Sequence, residues 1–326
     1  MIITRSPLRI TLGGGGTDLH SYYSKRGGFL ISAAIDKYVY VTITKPFAKG
    51  IYLKYSKLEN VKKITDISHS IIKETLKLLN NKEDQIEITT LTDIPAGTGL
   101  GSSGSFTTAL IKCLKAYYRK DIDKSLLAQL ACYIEINKLK EPIGKQDQYI
   151  ASFGGITTFK FNKNGKVNIK PLNLSKGFTD ELEDNLLLFF TGYSRSASKI
   201  LKDQKIKSEQ NNLDIMNNLD LTKKIGILSE RALLKENLKE FASCMNMQWD
   251  VKFKRSPGMS NSNITKWYEL ALNNGAIGGK LVGAGGGGFM LFVAKDKNKL
   301  KKTLKDQGLQ EVRFKFDYEG TKNIVV

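Results

Sequence analysis

Histidine is nearly missing from this 326-residue chain, which holds only His20 and His69. Histidine-based triads are therefore a poor fit, and each His reads as a surface or capping residue. Cysteine is scarce as well. Cys113, Cys132 and Cys244 lie far apart in helical patterns, without a Cys-x-x-Cys pair or a His-rich tract. That argues against a zinc site and for small core residues in a reducing compartment. No apolar run approaches membrane length, and the opening Met-Ile-Ile-Thr-Arg-Ser-Pro carries no apolar signal core. The expectation is a cytoplasmic protein with no membrane partner. Acidic residues are outnumbered, 32 against 51 basic, for a net charge of +19. The excess is mostly Lys spread over helical faces, with no Arg-rich block and no stripe of interleaved aromatics. It reads as a solvated surface that attracts small anions, and no motif supports a nucleic-acid partner.

What is present suits two domains of ordinary core content, at 41% hydrophobic residues. Alternating segments at 38–44, 86–91, 155–161 and 311–316, with apolar runs at 186–190 and 289–293, predict strands. Periodic segments predict helices over 67–79, 106–118, 125–139 and 264–272, and a long helical stretch over 197–245 broken by Ser-Pro-Gly at 256–258. Strands and helices mix without regular alternation, which predicts an α+β fold. Residues 162–180 are polar and turn-rich, so the expected division is 1–178 and 179–326.

The densest signal is residues 93–105, Asp-Ile-Pro-Ala-Gly-Thr-Gly-Leu-Gly-Ser-Ser-Gly-Ser. They follow a strand pattern and feed a helix pattern. A glycine loop entering a helix exposes unpaired backbone N–H groups at the positive end of the helix dipole, which is a phosphate site made without side-chain charge. The hydroxyls of Ser102, Ser103 and Ser105 add donors or a magnesium ligand. A Walker loop is excluded because no Lys lies here. Gly99, Gly101 and Gly104 match Gly-x-Gly-x-x-Gly. The acidic residue that a dinucleotide site needs about 20 positions on would be Asp121 or Asp123, in a polar turn where no strand is expected. A ligand-free tight turn is the bland alternative, though four glycines, one Pro and three serines are more than a turn needs. A second run, Gly283–Gly288, also fits the dinucleotide pattern but precedes a strand. It reads as a loop permitting close approach of backbone to backbone or to a ligand.

Two carboxylates stand out. Glu135 borders the apolar face of its predicted helix, where it meets either a metal or a neighbouring Lys such as Lys138. Asp147 follows in a short loop, Pro-Ile-Gly-Lys-Gln-Asp-Gln, as a turn former or a functional acid. Arg9 sits on the first strand beside the Gly13–Gly16 run, where an edge ion pair is the ordinary reading.

Three segments together resemble the GHMP kinases, the family of galactokinase, homoserine kinase and mevalonate kinase. They are Ser-Pro-Leu-Arg-Ile-Thr-Leu-Gly-Gly-Gly-Gly-Thr-Asp at 6–18, Ile-Pro-Ala-Gly-Thr-Gly-Leu-Gly-Ser-Ser at 94–103, and Lys-Leu-Val-Gly-Ala-Gly-Gly-Gly-Gly-Phe at 280–289. Their spread covers nearly the whole chain. The resemblance implies an N-terminal ATP-binding domain, a C-terminal ferredoxin-like domain and an active site between them. It implies that Pro95, Gly97, Gly99, Leu100, Gly101, Ser102, Ser103, Gly104 and Ser105 bind ATP, that Ser103 and Glu135 hold Mg2+, and that Asp147 and Arg9 are catalytic. Gly16, Thr17, Asp18, Arg195, Gly285 and Gly286 would contact the acceptor. The first motif lacks the Glu and His of the galactokinase sequence, so galactose is disfavoured and a bulkier sugar has room. Residues 190–197 and 275–280 resemble the heptose-phosphate kinase branch, which implies transfer to the anomeric hydroxyl of D-glycero-D-manno-heptose 7-phosphate. Arg195, Lys199, Lys252 or Lys280 would supply its phosphate pocket. The implied partner is a small sugar phosphate, with monomer and homodimer both open. Another sugar 1-kinase such as a fucose kinase, a nucleic-acid binder on this fold, and an ATP sensor without turnover are the alternatives.

Overall fold

The computed structural model describes residues 1–79, 85–193, 197–210, 212–255 and 261–326. The N-terminal half runs β1 (Ile2–Gly13), α1 (His20–Arg26), β2 (Gly28–Thr44), β3 (Gly50–Lys54), β4 (Leu58–Val61), α2 (Ser70–Leu78), β5 (Gln85–Thr92), α3 (Ser102–Tyr117), α4 (Lys124–Cys132), α5 (Gln146–Phe153), β6 (Ile156–Phe161) and β7 (Val167–Pro171). The C-terminal half runs α6 (Lys176–Asn185), β8 (Leu186–Phe190), α7 (Ala197–Glu209), α8 (Leu213–Leu234), α9 (Leu238–Phe253), α10 (Ser262–Asn273), β9 (Ala276–Leu281), β10 (Phe289–Ala294), α11 (Lys297–Asp306), β11 (Gln310–Val312) and β12 (Lys322–Val325). Helices and strands mix in an α+β arrangement, as the irregular alternation predicts.

Two sheets carry the fold. The large one is ordered β12-β1-β2-β5-β3-β4, with β6 and β7 added beside β2. Every pairing is antiparallel except β3 with β5. β2 is long enough to serve two neighbours. Val39–Thr44 pairs with β5, and Gly28–Ala33 pairs with β6. The small sheet is ordered β11-β8-β10-β9, all antiparallel. In chain order that is fourth, first, third, second, the split βαβ pattern of a ferredoxin-like domain. The chain does not end there. β12 returns to pair with β1, so the C-terminal residues complete the N-terminal sheet.

Several predicted elements change in detail. β2 extends ten residues earlier than its alternating half suggests, because its first half is buried on both faces and reads as a continuous apolar run. Residues 162–180, read as polar and turn-rich, hold a hairpin partner, β7, and the start of α6. The strand expected over 311–316 stops at Val312, and Phe316 instead bridges to Ile35 of the large sheet. The helix expected over 125–139 ends at Cys132 and continues as a π-helical turn, Tyr133–Lys138. The Ser-Pro-Gly break at 256–258 lies outside the described residues.

The largest cluster of buried apolar side chains spans both halves, joining Leu8, Ile31, Val41 and Leu110 to Phe241, Phe289 and Leu291. The two halves thus share one core, and a cleft between them is held by packing on both sides. All three cysteines are buried and unpaired. His69 caps α2, its Nδ1 accepting from the Ile72 amide. Among the described residues no helix is long and apolar enough to cross a membrane.

Candidate active site

A cleft of about 350 Å³ opens where β1, the two glycine loops, α3 and α5 face α8, α9 and β9. Loop 93–105 forms one wall. Gly101 occupies the cap position of α3 at φ 80°, and no side chain caps the helix. A left-handed residue there is tolerated by glycine and turns the chain sharply into the helix. The amides of the first turn keep no intrahelical acceptor, and Gly97, Gly99, Gly101, Ser102, Ser103 and Gly104 line the cleft around them. Pro95 is exposed and Leu100 buried, neither facing the cleft; the Leu100 carbonyl accepts from the Arg9 amide at 2.9 Å. Ser105 is turned away, its hydroxyl donating to the Pro7 carbonyl at 2.7 Å.

The second glycine loop closes against the first. A Cβ on Gly283 would meet the Gly99 carbonyl at 2.5 Å, and one on Gly288 would meet the Thr98 carbonyl at 2.1 Å. Backbone touches backbone, as the glycine run suggests. Gly283 and Ala284 line the cleft, whereas Gly285 and Gly286 do not.

Arg9 and Asp147 form a forked ion pair, Nε to Oδ1 at 2.7 Å and Nη2 to Oδ2 at 3.0 Å. The third guanidinium nitrogen donates to the Gly99 carbonyl, tying the pair to the phosphate-type loop. Asp147 sits in the first turn of α5, which packs on α3 through Gly104. Gln146 braces the pair. Its side-chain amide donates to Asp147 Oδ1 at 3.1 Å, and its carbonyl oxygen accepts from Thr11 at 3.0 Å. Its backbone amide donates to Asp18 Oδ2 at 3.0 Å.

Glu135 is fully buried, the inward-facing of the two placements its helical position allowed. The reason is the π turn. The Leu139 amide reaches back to Ile134 at i−5, and the widened turn rotates Glu135 inward. The Ser103 hydroxyl donates to one carboxylate oxygen, and Gln148 donates to the other at 2.8 Å. Burial pushes the Glu135 pKa up to about 7 against the opposing pull of the Ser103 and Gln148 hydrogen bonds. Among the described residues no group of three or more His, Cys, Asp or Glu side chains is arranged to hold a metal. The Ser103–Glu135 pair nonetheless offers a hydroxyl and a carboxylate side by side, an oxygen set of the kind magnesium takes when phosphates complete its shell.

The opposite wall is cationic. Lys280 is buried and donates to the Leu12 carbonyl at 3.0 Å and Gln248 Oε1 at 2.8 Å. Burial lowers its pKa to about 7. Lys252, also held down by burial and by neighbouring cations, donates to the carbonyls of Leu281 and Gly283. Arg255 contacts Asn218, Thr222 and the Gly15 carbonyl, and burial lowers its pKa to about 10. Asp18 and Gly16 line this end, and burial raises the Asp18 pKa. Thr17 does not face the cleft. Its hydroxyl is spent on the Gly14 and Phe29 carbonyls, fixing the glycine turn. Arg195 lies outside the described residues, as does the Lys199 side chain.

Sequence reasoning missed Gln146, Gln148, Gln248 and Arg255. The two glutamines flank Asp147, and their alternation around a loop acid was the available signal. Nothing local marks Arg255, whose contact with Gly15 spans 240 positions.

Known proteins give a consistent picture. The family description "GHMP kinases N terminal domain" matches residues 70–155, and "GHMP kinases C terminal" matches 229–306. The chain is 33% identical to the D-glycero-alpha-D-manno-heptose 7-phosphate kinase of Campylobacter jejuni, over 99% of this chain and 98% of that protein. It is 29% identical to the L-fucokinase/L-fucose-1-P guanylyltransferase of Bacteroides fragilis, over 90% of this chain and 34% of that one. Among solved structures, a D-glycero-D-manno-heptose 1-phosphate kinase from Bacteroides thetaiotaomicron superposes with a TM-score of 0.83 at 26% identity, covering 100% of this chain and 99% of the other.

Proposed function

The chain belongs to the GHMP kinases, ATP-dependent phosphotransferases, and we propose that this sugar kinase phosphorylates the anomeric hydroxyl of D-glycero-D-manno-heptose 7-phosphate. The product is the 1,7-bisphosphate, a precursor of nucleotide-activated heptose for surface polysaccharide made in the cytoplasm. The observation that carries the reading is the convergence of the forked Arg9–Asp147 pair and the uncapped start of α3 in one cleft.

In this reading the amides of 101–104 hold the nucleotide phosphates at the helix N-terminus. Asp147 takes the proton of the acceptor hydroxyl or orients it for in-line attack. An anomeric hydroxyl is more acidic than an ordinary alcohol, so a carboxylate is base enough. Arg9 faces the oxygen on which negative charge develops and fixes the Asp147 carboxylate in one orientation. Asp18 accepts from sugar hydroxyls. Ser103 and Glu135 would hold magnesium, which when bound neutralises charge on the nucleotide phosphates. The chain's own contribution is positioning and fixed dipoles rather than covalent chemistry.

The relationship to the Bacteroides fragilis fucokinase supports a second reading, a fucose 1-kinase. Phosphorus NMR of the product formed from heptose 7-phosphate and ATP separates the two. The expected result is ADP and a new anomeric phosphate resonance. Turnover of free fucose with none of the heptose phosphate would reject the first reading.

A further inference from the structure

Among the described residues, three of the cleft's cations make no ion pair. Arg9 is neutralised by Asp147. Arg255 and Lys280 are 7% and 4% exposed and Lys252 is half-buried in the cleft wall, and among the described residues none has a carboxylate within ion-pair distance. Their acceptors are carbonyls, hydroxyls and side-chain amide oxygens. Among the described residues, their contacts do not use every donor. A Lys ammonium carries three N–H donors and a guanidinium five, and the contacts above use two on each Lys and three on the Arg.

Burying three like charges together is costly unless an anion joins them. Lys252 is pushed down by burial and by the neighbouring Arg255 and Lys280, and the opposing pull on Arg255 comes from Asp18 across the cleft. The chain retains the arrangement beside a cleft, which suits a site completed by its ligand. Its place in the fold tells which ligand. Lys252 and Arg255 lie three apart at the end of α9, and Arg255 reaches the Gly15 carbonyl, on the Asp18 side of the glycine turn. A Cβ on Gly16 would come within 2.8 Å of Arg255 Nη1, so any larger residue there would close over the guanidinium. The glycine run therefore keeps that cation open to the acceptor end. The nucleotide loop already has its own donors in the α3 amides.

We propose that Lys252, Lys280 and Arg255 bind a phosphate monoester on the acceptor remote from the reacting hydroxyl, with Arg255 setting the preference for phosphorylated over free sugar. This rests on the reading of the acceptor as a sugar phosphate and assigns the residues that enforce it.

The test compares kcat/KM for heptose 7-phosphate and for the free heptose, in wild type, Arg255→Gln and Arg255→Lys. Arg255→Gln is expected to raise KM for the phosphorylated sugar by roughly 10- to 100-fold, to leave KM for ATP near wild type, and to shrink the preference by the same factor. Arg255→Lys should recover part of it. An unchanged preference overturns the proposal, and an equal rise in KM for ATP would move the cluster to the nucleotide and overturn it too. Wild type alone gives a check that needs no folded variant: inorganic phosphate should compete with the sugar and not with ATP. Competition with ATP only is the contrary result. If wild type prefers the phosphorylated sugar while Arg255→Gln keeps that preference, the pocket is wrong and the sugar-phosphate reading stands. If wild type shows no preference, that reading itself fails.

Discussion

Gly104→Ala tests whether the crossing of α3 and α5 positions the reacting groups. A Cβ built on Gly104 would lie 2.8 Å from Asp147 Cβ, 2.9 Å from its carbonyl carbon and 3.0 Å from the Gln148 amide nitrogen. Ordinary contact begins near 3.4 Å, so the two helices must part by about 0.6 Å at the point where Asp147 is carried. The atoms in the way are backbone and Cβ, so no side-chain rotation relieves the overlap. Two effects then oppose each other in stability. Alanine in place of glycine inside a helix gains about 1 kcal/mol, and overpacking costs about 1–3 kcal/mol. The net change should be a loss of at most about 2 kcal/mol, measurable by urea unfolding and too small to abolish folding. Catalysis should suffer more. A misplacement approaching 1 Å costs roughly 10²-fold in rate, so kcat should fall by about 10- to 10²-fold while the protein stays folded. Steady-state kinetics with ATP and the sugar phosphate measure it. Wild-type turnover in a folded Gly104→Ala variant would refute the claim that this crossing sets the position of Asp147.

Asp147→Asn should lower kcat by roughly 10²–10⁴ if its carboxylate takes the proton, with ATP binding retained by calorimetry; near-normal turnover removes the role. Gly144→Ala would place a Cβ 1.9 Å from Asp18 Oδ2, so it should raise KM for the sugar several-fold and leave KM for ATP alone, and a change in ATP affinity would count against Asp18 as an acceptor contact. Glu135→Gln should alter how stability depends on pH. The unfolded chain releases this proton near 4.5, while burial holds it in the folded protein up to about 7. The folded state therefore binds more protons between those values, and stability falls as pH rises through that window. That displacement corresponds to a loss on the order of 3 kcal/mol by pH 8 in nucleotide-free protein. Urea midpoints at pH 4.5 and 8 should fall less for Glu135→Gln than for wild type, and parallel falls would refute the buried-acid account.

The chain is readable where function is written into consecutive residues. The stretch 93–105 follows β5 and enters α3, so the loop, its uncapped helix start and its glycine conformations follow from composition and order alone. The α+β class follows from irregular alternation in the same way. Legibility fails where geometry depends on distant partners. β3 and β4 are too short to announce themselves, and they form by pairing with β5 and with each other. The π turn at Tyr133–Lys138 is invisible because its residues suit an α-helix equally well. Thr17 and Ser105 sit inside legible motifs yet spend their hydroxyls on backbone carbonyls. A motif predicts the neighbourhood of a residue better than the direction of its side chain. Arg255 is the reverse case, without a motif but aimed at Gly15.

The polar contacts of the cleft form one chain. Asp18 accepts from the Gln146 amide, Gln146 braces Asp147, Asp147 grips Arg9, and Arg9 reaches the Gly99 carbonyl. Gly99 in turn abuts Gly283, whose carbonyl accepts from Lys252. A line of contacts therefore runs from Asp18 through the ion pair and the first glycine loop to Lys252 on the cationic wall. Along Asp18, Gln146, Asp147 and Arg9 each member is hydrogen-bonded to the next, which matters because an unpaired polar group in a buried site costs more than the bond it replaces gains. The resulting geometry is fixed before either substrate arrives, which fits a reaction in which alignment supplies most of the acceleration. The two glycine loops come from different halves of the chain, and displacing either would separate Gly99 from Gly283. The contact between the loops, backbone against backbone, therefore fixes the spacing between the uncapped start of α3 and the Lys252 side of the cleft.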